Sequence, residues 1–487
     1  MKFRFITPYY GVKGLRILTL PVLAAEFGQY ADVEVCDENV EPIDYSPVDV
    51  VGISLLVYNA PHGFKIAERF RRQGAKVLFG GTYPSLQPDH CLQHGDAVVV
   101  GELEGLTARI MHDLEHGRLQ PIYKNPEPPD VSHMPRPRVD LLKNDRYMGV
   151  GYPIEFSRGC PNACGFCVNP YVFRKFRTIS LENIARDLSY RDMDVLGVED
   201  LNMTGDREHA LRVAKLLEQT GRLKWSAELT LASLDDDELL EAFARSGMTE
   251  AYVGLESINP RVLSGINKGF NRVEDYRRII RKVQSYGIRL GCGMVLGLDG
   301  EDKDFYKRWL GFLEESGMCY ATPTYATYVP GTRAYQIMKD AGRIVTDDLR
   351  AYDGLHPVVV PDRMTLEELN EGFRWFIKRF FSVRSILKRA PRKPWRNLPQ
   401  FMAHVAINVW FRSWYRMMTR RYGPHGRYLT DDLELCDRVT HRRYRRSGAW
   451  KVFRRLFTRT SGIETERAVV TPETQTPGEA QRAPSLA

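Results

Sequence analysis

The chain has 487 residues, 43% hydrophobic and 27% charged, with a net charge of +8. That balance predicts a globular protein of two or three domains and excludes a disordered polymer, while a charge this modest, gathered toward the C-terminus, argues against a nucleic-acid-binding role for the whole chain. Eight cysteines are too sparse for a disulfide scaffold.

Met1 to Ile6 run into Thr7-Pro8 as a first strand and not as a signal peptide. The expectation is a cytoplasmic, reducing compartment, where clustered thiols serve as metal ligands. The first third then alternates apolar runs with amphipathic segments, the βα rhythm of a doubly wound sheet. Strands are predicted at 48–54, 76–79 and 98–100, with a helix over 60–73. Ligands bind such sheets at the carboxyl ends of the strands, which points to Ser54 and to Gly80-Gly81-Thr82-Tyr83-Pro84-Ser85. A Pro-rich connector at 126–137 is stiff, because proline fixes φ and lacks an amide donor.

Beyond the connector the βα rhythm resumes, with strands expected at 154–156, 196–201, 251–255, 290–296 and 321–328 and a helix near 181–190. About six such units are too few for a closed eight-stranded barrel, so an open partial barrel is predicted. Thr365-Leu366-Glu367-Glu368 is a capping-box signature opening a helix with Leu369, Phe373, Phe376 and Phe380 on one side. The domains are expected at 1–135, 136–350 and 351–465, the last helical and basic, with a disordered tail at 466–487 rich in Thr, Pro, Glu and Gln.

Ser157-Arg158-Gly159-Cys160-Pro161-Asn162-Ala163-Cys164-Gly165-Phe166-Cys167 spaces three thiols as C-x3-C-x2-C on one loop. One loop can thereby reach three corners of a cubane and leave the fourth iron open. Zinc is the alternative, but a structural zinc site closes with a fourth Cys or His, and His133 and His209 are distant in sequence. The spacing, with Phe166 before the third cysteine, resembles the radical S-adenosylmethionine (SAM) superfamily. The resemblance implies that Cys160, Cys164 and Cys167 hold a [4Fe-4S] cluster whose open iron chelates SAM and reduces it to a 5′-deoxyadenosyl radical, with flavodoxin or ferredoxin as electron donor. It further implies SAM contacts from Phe166, from Glu256 and Ser257 after a strand, and from Gly293 and Gly297 under the adenine. Asp200 and Asn202 stand where relatives often carry Asp-Asp-Asn. This sequence has Glu199-Asp200-Leu201-Asn202 instead, which weakens that assignment. Arg158 and Arg174, near the loop, can pair with carboxylates.

The first domain resembles the cobalamin-binding domain joined to radical SAM enzymes of hopanoid, bacteriochlorophyll and natural-product metabolism, through Asp37-Glu38-Asn39-Val40, Asp49 to Ser54, the Gly80-Gly81 loop and Gly101-Glu102-Leu103-Glu104. The resemblance implies cobalamin held by Ser54, Gly80, Gly81, Thr82 and Tyr83. The Asp-x-His-x-x-Gly motif that ligates cobalt is absent, so Tyr83 or another loop residue is expected to face the lower side of the ring. The expected fold is therefore α/β: a Rossmann-like cobalamin-binding domain, a partial (β/α)6 radical SAM barrel and a helical C-terminal region.

The activity so implied is methyl transfer to an unactivated carbon of a small, hydrophobic lipid, pigment or natural-product substrate. A radical cyclisation, oxidation or rearrangement on the same architecture, or a non-catalytic metal-binding protein, are the alternatives. Aromatic and apolar residues from Phe401 to Tyr415, set among Arg412, Arg416, Arg420 and Arg421, form a helix that packs on its own protein or lies on an anionic membrane surface. The first is the commoner use. No apolar stretch reaches the roughly 20 residues of a spanning helix.

Overall fold

A computed structural model describes residues 1–9, 16–132, 134–144, 146–147, 151–221, 223–391, 398–421 and 428. The tail at 466–487 and the side chains of Arg420 and Arg421 lie outside the described residues.

Two six-stranded parallel sheets organise the molecule. The first contains β1 (Lys2–Thr7), β2 (Asp32–Asp37), β3 (Val50–Ser54), β4 (Lys76–Gly80), β5 (Ala97–Val100) and β6 (Ile122–Lys124), in the order β2-β1-β3-β4-β5-β6. Its inner strands β1, β3, β4 and β5 are short and largely buried on both faces, as helix-covered parallel strands must be, while the edge strands β2 and β6 are partly exposed. Strand order reverses at β1, between β2 and β3, the kind of switch point at whose carboxyl edge open parallel sheets form a crevice.

The second sheet follows a two-stranded antiparallel excursion. β7 (Tyr152–Ile154) leads into β8 (Ser157–Arg158), which pairs with β9 (Arg177–Thr178) and brackets the cysteine loop. β10 (Val195–Val198), β11 (Lys224–Leu229), β12 (Met248–Glu256), β13 (Arg289–Leu296) and β14 (Tyr320–Tyr325) complete the order β7-β10-β11-β12-β13-β14. All five pairings are parallel, and β7 and β14 remain edges, so the barrel is open. This is the expected fold class. Trp225, Ala227 and Leu229 of β11 are buried while Ser226 and Glu228 face away from them. That period of two was readable, yet this strand was absent from the sequence prediction.

The strand expected to run to Leu201 ends at Val198, and Asp200 folds back on the link from β7 into β8: its Oδ1 accepts from Phe156 N–H (2.7 Å) and its Oδ2 from the Ser157 hydroxyl (2.5 Å). The Pro-rich connector is tied down instead of spanning freely. Arg174 donates to the Asn125 and Pro126 carbonyls, Arg177 to Pro129, and the Asn183 amide to Ser132. Arg174 thus pairs with carbonyls and not, as anticipated, with carboxylates. The capping box forms: Glu368 N–H donates to Thr365 Oγ1 (3.1 Å) and Thr365 N–H to the Glu368 carboxylate (3.0 Å), opening the helix Leu366–Phe380. Leu369, Phe373, Phe376 and Phe380 are all buried by it. The helix Leu398–Arg421 packs on the barrel through Ala403, His404, Asn408, Tyr415 and Met418. No described helix is long and apolar enough to cross a membrane.

Candidate active site at the barrel mouth

β8 delivers the chain into the cysteine loop through Gly159, at φ +87°, where a Cβ would lie 2.5 Å from the Lys175 carbonyl oxygen. Only glycine fits there. The loop is clamped from the far side: Gly165 N–H donates to the Ile266 carbonyl (2.9 Å), and the Asn267 amide donates to the Ala163 carbonyl (2.7 Å). Cys160, Cys164 and Cys167 are free and partly exposed. Burial raises the thiol pKa of Cys164 and Cys167, and the Lys268 charge opposes that rise. Among the described residues no three His, Cys, Asp or Glu side chains converge to hold one metal ion. A cubane does not demand that convergence, since each thiolate takes a different iron.

β12 ends on a bulge between Gly254 and Glu256, and Glu256 sits at φ +60°. A left-handed non-glycine residue costs energy and persists where surrounding contacts hold it. Here Lys268 Nζ binds Glu256 Oε1 at 2.8 Å and lies 6.0 Å from the Phe166 ring centroid, so the carboxylate and the cysteine loop share one cation. Gly254 and Gly293, paired across β12 and β13, leave room for that carboxylate. A Cβ on Gly254 would sit 2.3 Å from Glu256 Oε1, and one on Gly293 would sit 3.4 Å from Oε2.

The other expected SAM contacts divide. Ser257 is fully buried and donates to Glu301, away from Glu256. Gly297 packs under Leu369 and Pro361. Asp200 has both oxygens engaged by the strand end, and burial pushes its carboxyl up to about 8. Asn202 accepts from the Thr204 hydroxyl (2.7 Å) beside it.

At the carboxyl edge of the first sheet lies a cavity of about 320 Å³. Ser54, Gly80, Gly81 and Thr82 line it, with an apolar wall from Leu18, Phe27 and Val99. Gly81 is at φ +97°, and a Cβ there would meet the Leu55 carbonyl and Ser54 Oγ at 2.9 Å. Tyr83 corrects the expectation: its side chain points into the core, buried against Phe64, with its hydroxyl 2.6 Å from His90 Nδ1, and it does not line the cavity. Helix formation from Thr82 turns it inward.

The expectation that Arg158 pairs with carboxylates holds, and its partners, which the sequence did not indicate, join this cavity to the cysteine loop. Glu155, Arg158 and Glu199 of the barrel also line the cavity. Arg158, buried, pairs with Glu104 and with Glu155 (2.7 Å), and Arg177 donates to both carboxylate oxygens of Glu102 at 2.8 Å. Glu199 accepts from Leu18 N–H (3.0 Å), and burial pushes its carboxyl up to about 8. In the barrel, Glu228 is accessible along β11, yet enclosure by the surrounding strands raises its carboxyl to about 6, with the neighbouring charge of Glu256 adding to the rise and Lys268 opposing it. Tyr252 and Thr322 share a hydrogen bond nearby. The one clue to such groups was polar residues alternating with buried ones along a strand.

Residues 154–312 match the Radical SAM superfamily. The chain is 27% identical over 390 residues to the bacteriochlorophyllide d C-12(1)-methyltransferase of Chlorobaculum tepidum, covering 77% of this chain and 85% of that one. It is 28% identical over 350 residues to the hopanoid C-2 methylase of Rhodopseudomonas palustris, covering 68% and 66%. Its fold is similar to that of OxsB, a cobalamin-dependent SAM radical enzyme solved with aqua-cobalamin and SAM, with a TM-score of 0.65 and 14% identity over 94% of this chain and 78% of that one. The resemblance read from the cysteine loop, and the reading of the chain as an enzyme, are borne out.

Proposed function

From a chain whose residues 154–312 form a radical SAM domain, we propose a cobalamin-dependent C-methyltransferase acting on an unactivated carbon of a lipid, pigment or natural product. The observation that carries this reading is the juncture of the two sheets: a glycine-lined cavity and a three-cysteine loop abut, and Arg158, two residues before Cys160, belongs to both.

The donor sets fit the groups that the family implies. Three thiols on one loop suit a cluster with an open iron, and the Gly80-Gly81 edge with its apolar slot suits an aromatic nucleotide tail lying against backbone. When bound, the cluster with SAM supplies a carbon-centred radical and cobalamin supplies the methyl group. The chain's own part is positional. Cys160, Cys164 and Cys167 bind the cluster, while Ile266 and Asn267 hold their loop rigid. Glu256, oriented by Lys268, offers its carboxylate to the polar end of SAM, with Gly293 beside it leaving room for that carboxylate. Ser54, Gly80, Gly81 and Thr82 cradle the cobalamin. Glu228, Tyr252 and Thr322 present hydrogen-bonding groups to a small substrate in the barrel, and the surrounding strands exclude water from it. A reduced flavodoxin or ferredoxin is the electron donor, and the cytoplasm the compartment.

Anaerobic reconstitution with iron, sulfide and hydroxocobalamin tests this reading. The expected results are a bound corrinoid in the absorption spectrum, and 5′-deoxyadenosine with S-adenosylhomocysteine when SAM, reductant and substrate are present. Cys164→Ala is expected to abolish deoxyadenosine formation. Deoxyadenosine without corrinoid or S-adenosylhomocysteine would favour a cyclisation or oxidation, and a chain that takes up no iron would overturn the proposal.

A further inference from the structure

The C-terminal helices carry a charge and an exposed face that the proposed chemistry does not use. Between Gly372 and Thr430 the sequence holds fourteen Lys and Arg and no Asp or Glu, which leaves the rest of the chain at a net −6. A protein of modest overall charge is therefore strongly polarised.

Burial shows how two of these helices use that composition. In the helix Val383–Arg389, Ser385, Ile386 and Arg389 are buried, and the outward face consists of Val383, Arg384, Leu387 and Lys388. The helix Leu398–Arg421 runs beside it: His404 Nε2 donates to the Ile386 carbonyl (2.9 Å), and Arg389 donates to Asn408 Oδ1 (2.9 Å). The contacts of His404 and Asn408 occupy one face. At 100° per residue, Leu398, Met402, Val409, Ser413 and Arg416 fall on a single narrow stripe of the other. It is apolar for three turns and turns polar and cationic from Arg412.

The aliphatic side chains on these faces are unusually open: Val383 is 61% exposed, Leu387 55%, Leu398 59%, Met402 38% and Val409 46%. Single exposed apolar residues need no explanation, but a series at helical spacing on two neighbouring helices does. Lys388 pairs with Glu314 (2.8 Å), whereas Arg384 makes no ion pair among the described residues.

We propose that this face seats the enzyme on an anionic lipid bilayer, the two helices lying in the plane of the interface with their aliphatic side chains inserted and their Lys and Arg among the headgroups. Aliphatic insertion with flanking cations and no carboxylate on either helix is the chemistry of an interfacial helix. Nucleic acid would use the cations alone and leave the aliphatics in water. The same helix cannot span a bilayer, because His404 and Asn408 are committed to the protein interior. The proposal stands apart from the cofactor reading, since lipid binding is measured without SAM, cluster or corrinoid.

The test is co-sedimentation of the full chain with vesicles of phosphatidylcholine alone and of phosphatidylcholine with phosphatidylglycerol. Binding is expected to the anionic vesicles, weaker to the neutral ones, and reduced by high salt. Leu387→Asp and Met402→Asp change exposed positions, keep every Lys and Arg, and are expected to keep the thermal midpoint. Each is expected to weaken vesicle binding about tenfold or more, as losing one inserted aliphatic group does. No binding to anionic vesicles overturns the proposal, as does undiminished binding by both variants. So does a wild-type dimer, failing to bind vesicles, that either variant dissociates, because a second copy would then cover the face.

Discussion

The guanidinium of Arg158, at the end of β8, is held against the carboxylate of Glu104, on the loop that follows β5 in the other sheet. Glu155 holds its second amine at 2.7 Å and Glu102 lies 3.6 Å away, so one buried cation serves three carboxylates. Arg158→Met leaves Glu104 and Glu155 without their buried cation, while Glu102 keeps Arg177. The expected loss is about 3–5 kcal/mol of folding stability by chemical denaturation, because a broken buried pair leaves an uncompensated charge. Adding Glu104→Gln is expected to recover part of it. A loss under about 1 kcal/mol would mean that the cluster does not hold the two sheets together.

Asp200 bends the chain back to the base of the cysteine loop, and burial keeps its carboxyl protonated at neutral pH. Asn is therefore a close replacement: its oxygen accepts from Phe156 N–H, and its amide keeps a hydrogen bond to Ser157 with the donor reversed. Asp200→Asn is expected to bind iron as the wild type does, and Asp200→Ala to lose about 1–3 kcal/mol and part of its iron. A raised carboxyl contributes stability below its unfolded pKa, and that contribution is lost as pH rises through about 8. The wild type should accordingly fall behind Asp200→Asn progressively as pH rises from the ordinary carboxylate range to about 8, with no further divergence above it. If Asp200→Asn instead keeps its iron but loses SAM affinity, Asp200 contacts SAM.

Gly80 has no atom within 4 Å of where a Cβ would stand, and it lines the cavity at the end of β4. Gly80→Val suits a strand and fills open space. Corrinoid retention after gel filtration is expected to be lost while iron content and SAM cleavage persist. Retained corrinoid would place the nucleotide tail elsewhere.

His404 donates through Nε2 to the Ile386 carbonyl and faces Cys319 Sγ at 3.2 Å through Nδ1, and burial pushes its imidazole down to about 4. A histidine held neutral contributes stability above its unfolded pKa of 6.5, and this is lost as pH falls toward 4. Denaturation across that window should show a decline of at most about 3 kcal/mol that His404→Gln lacks. An identical slope in both proteins would assign the decline to other groups.

Local chemistry made much of this chain legible before folding. C-x3-C-x2-C within eight residues is a property of the sequence, as is the capping box at Thr365 and Glu368, because each rests on neighbours a few residues apart. The βα rhythm followed from periodicity, and the strand-end glycines stood out by residue type, though what crowds them, Leu55 and Ser54 at Gly81, is set by the fold. Tertiary structure alone decided which side chains meet. Arg158 and Glu104 are 54 residues apart, and Lys268 and Glu256 join only because β12 ends in a bulge. Tyr83 and Ser257 carried suitable groups but turned into the interior, since a side chain's direction is set by the element it ends in and by what packs behind it. Pattern names the donors; the packing of two sheets decides which of them face one another.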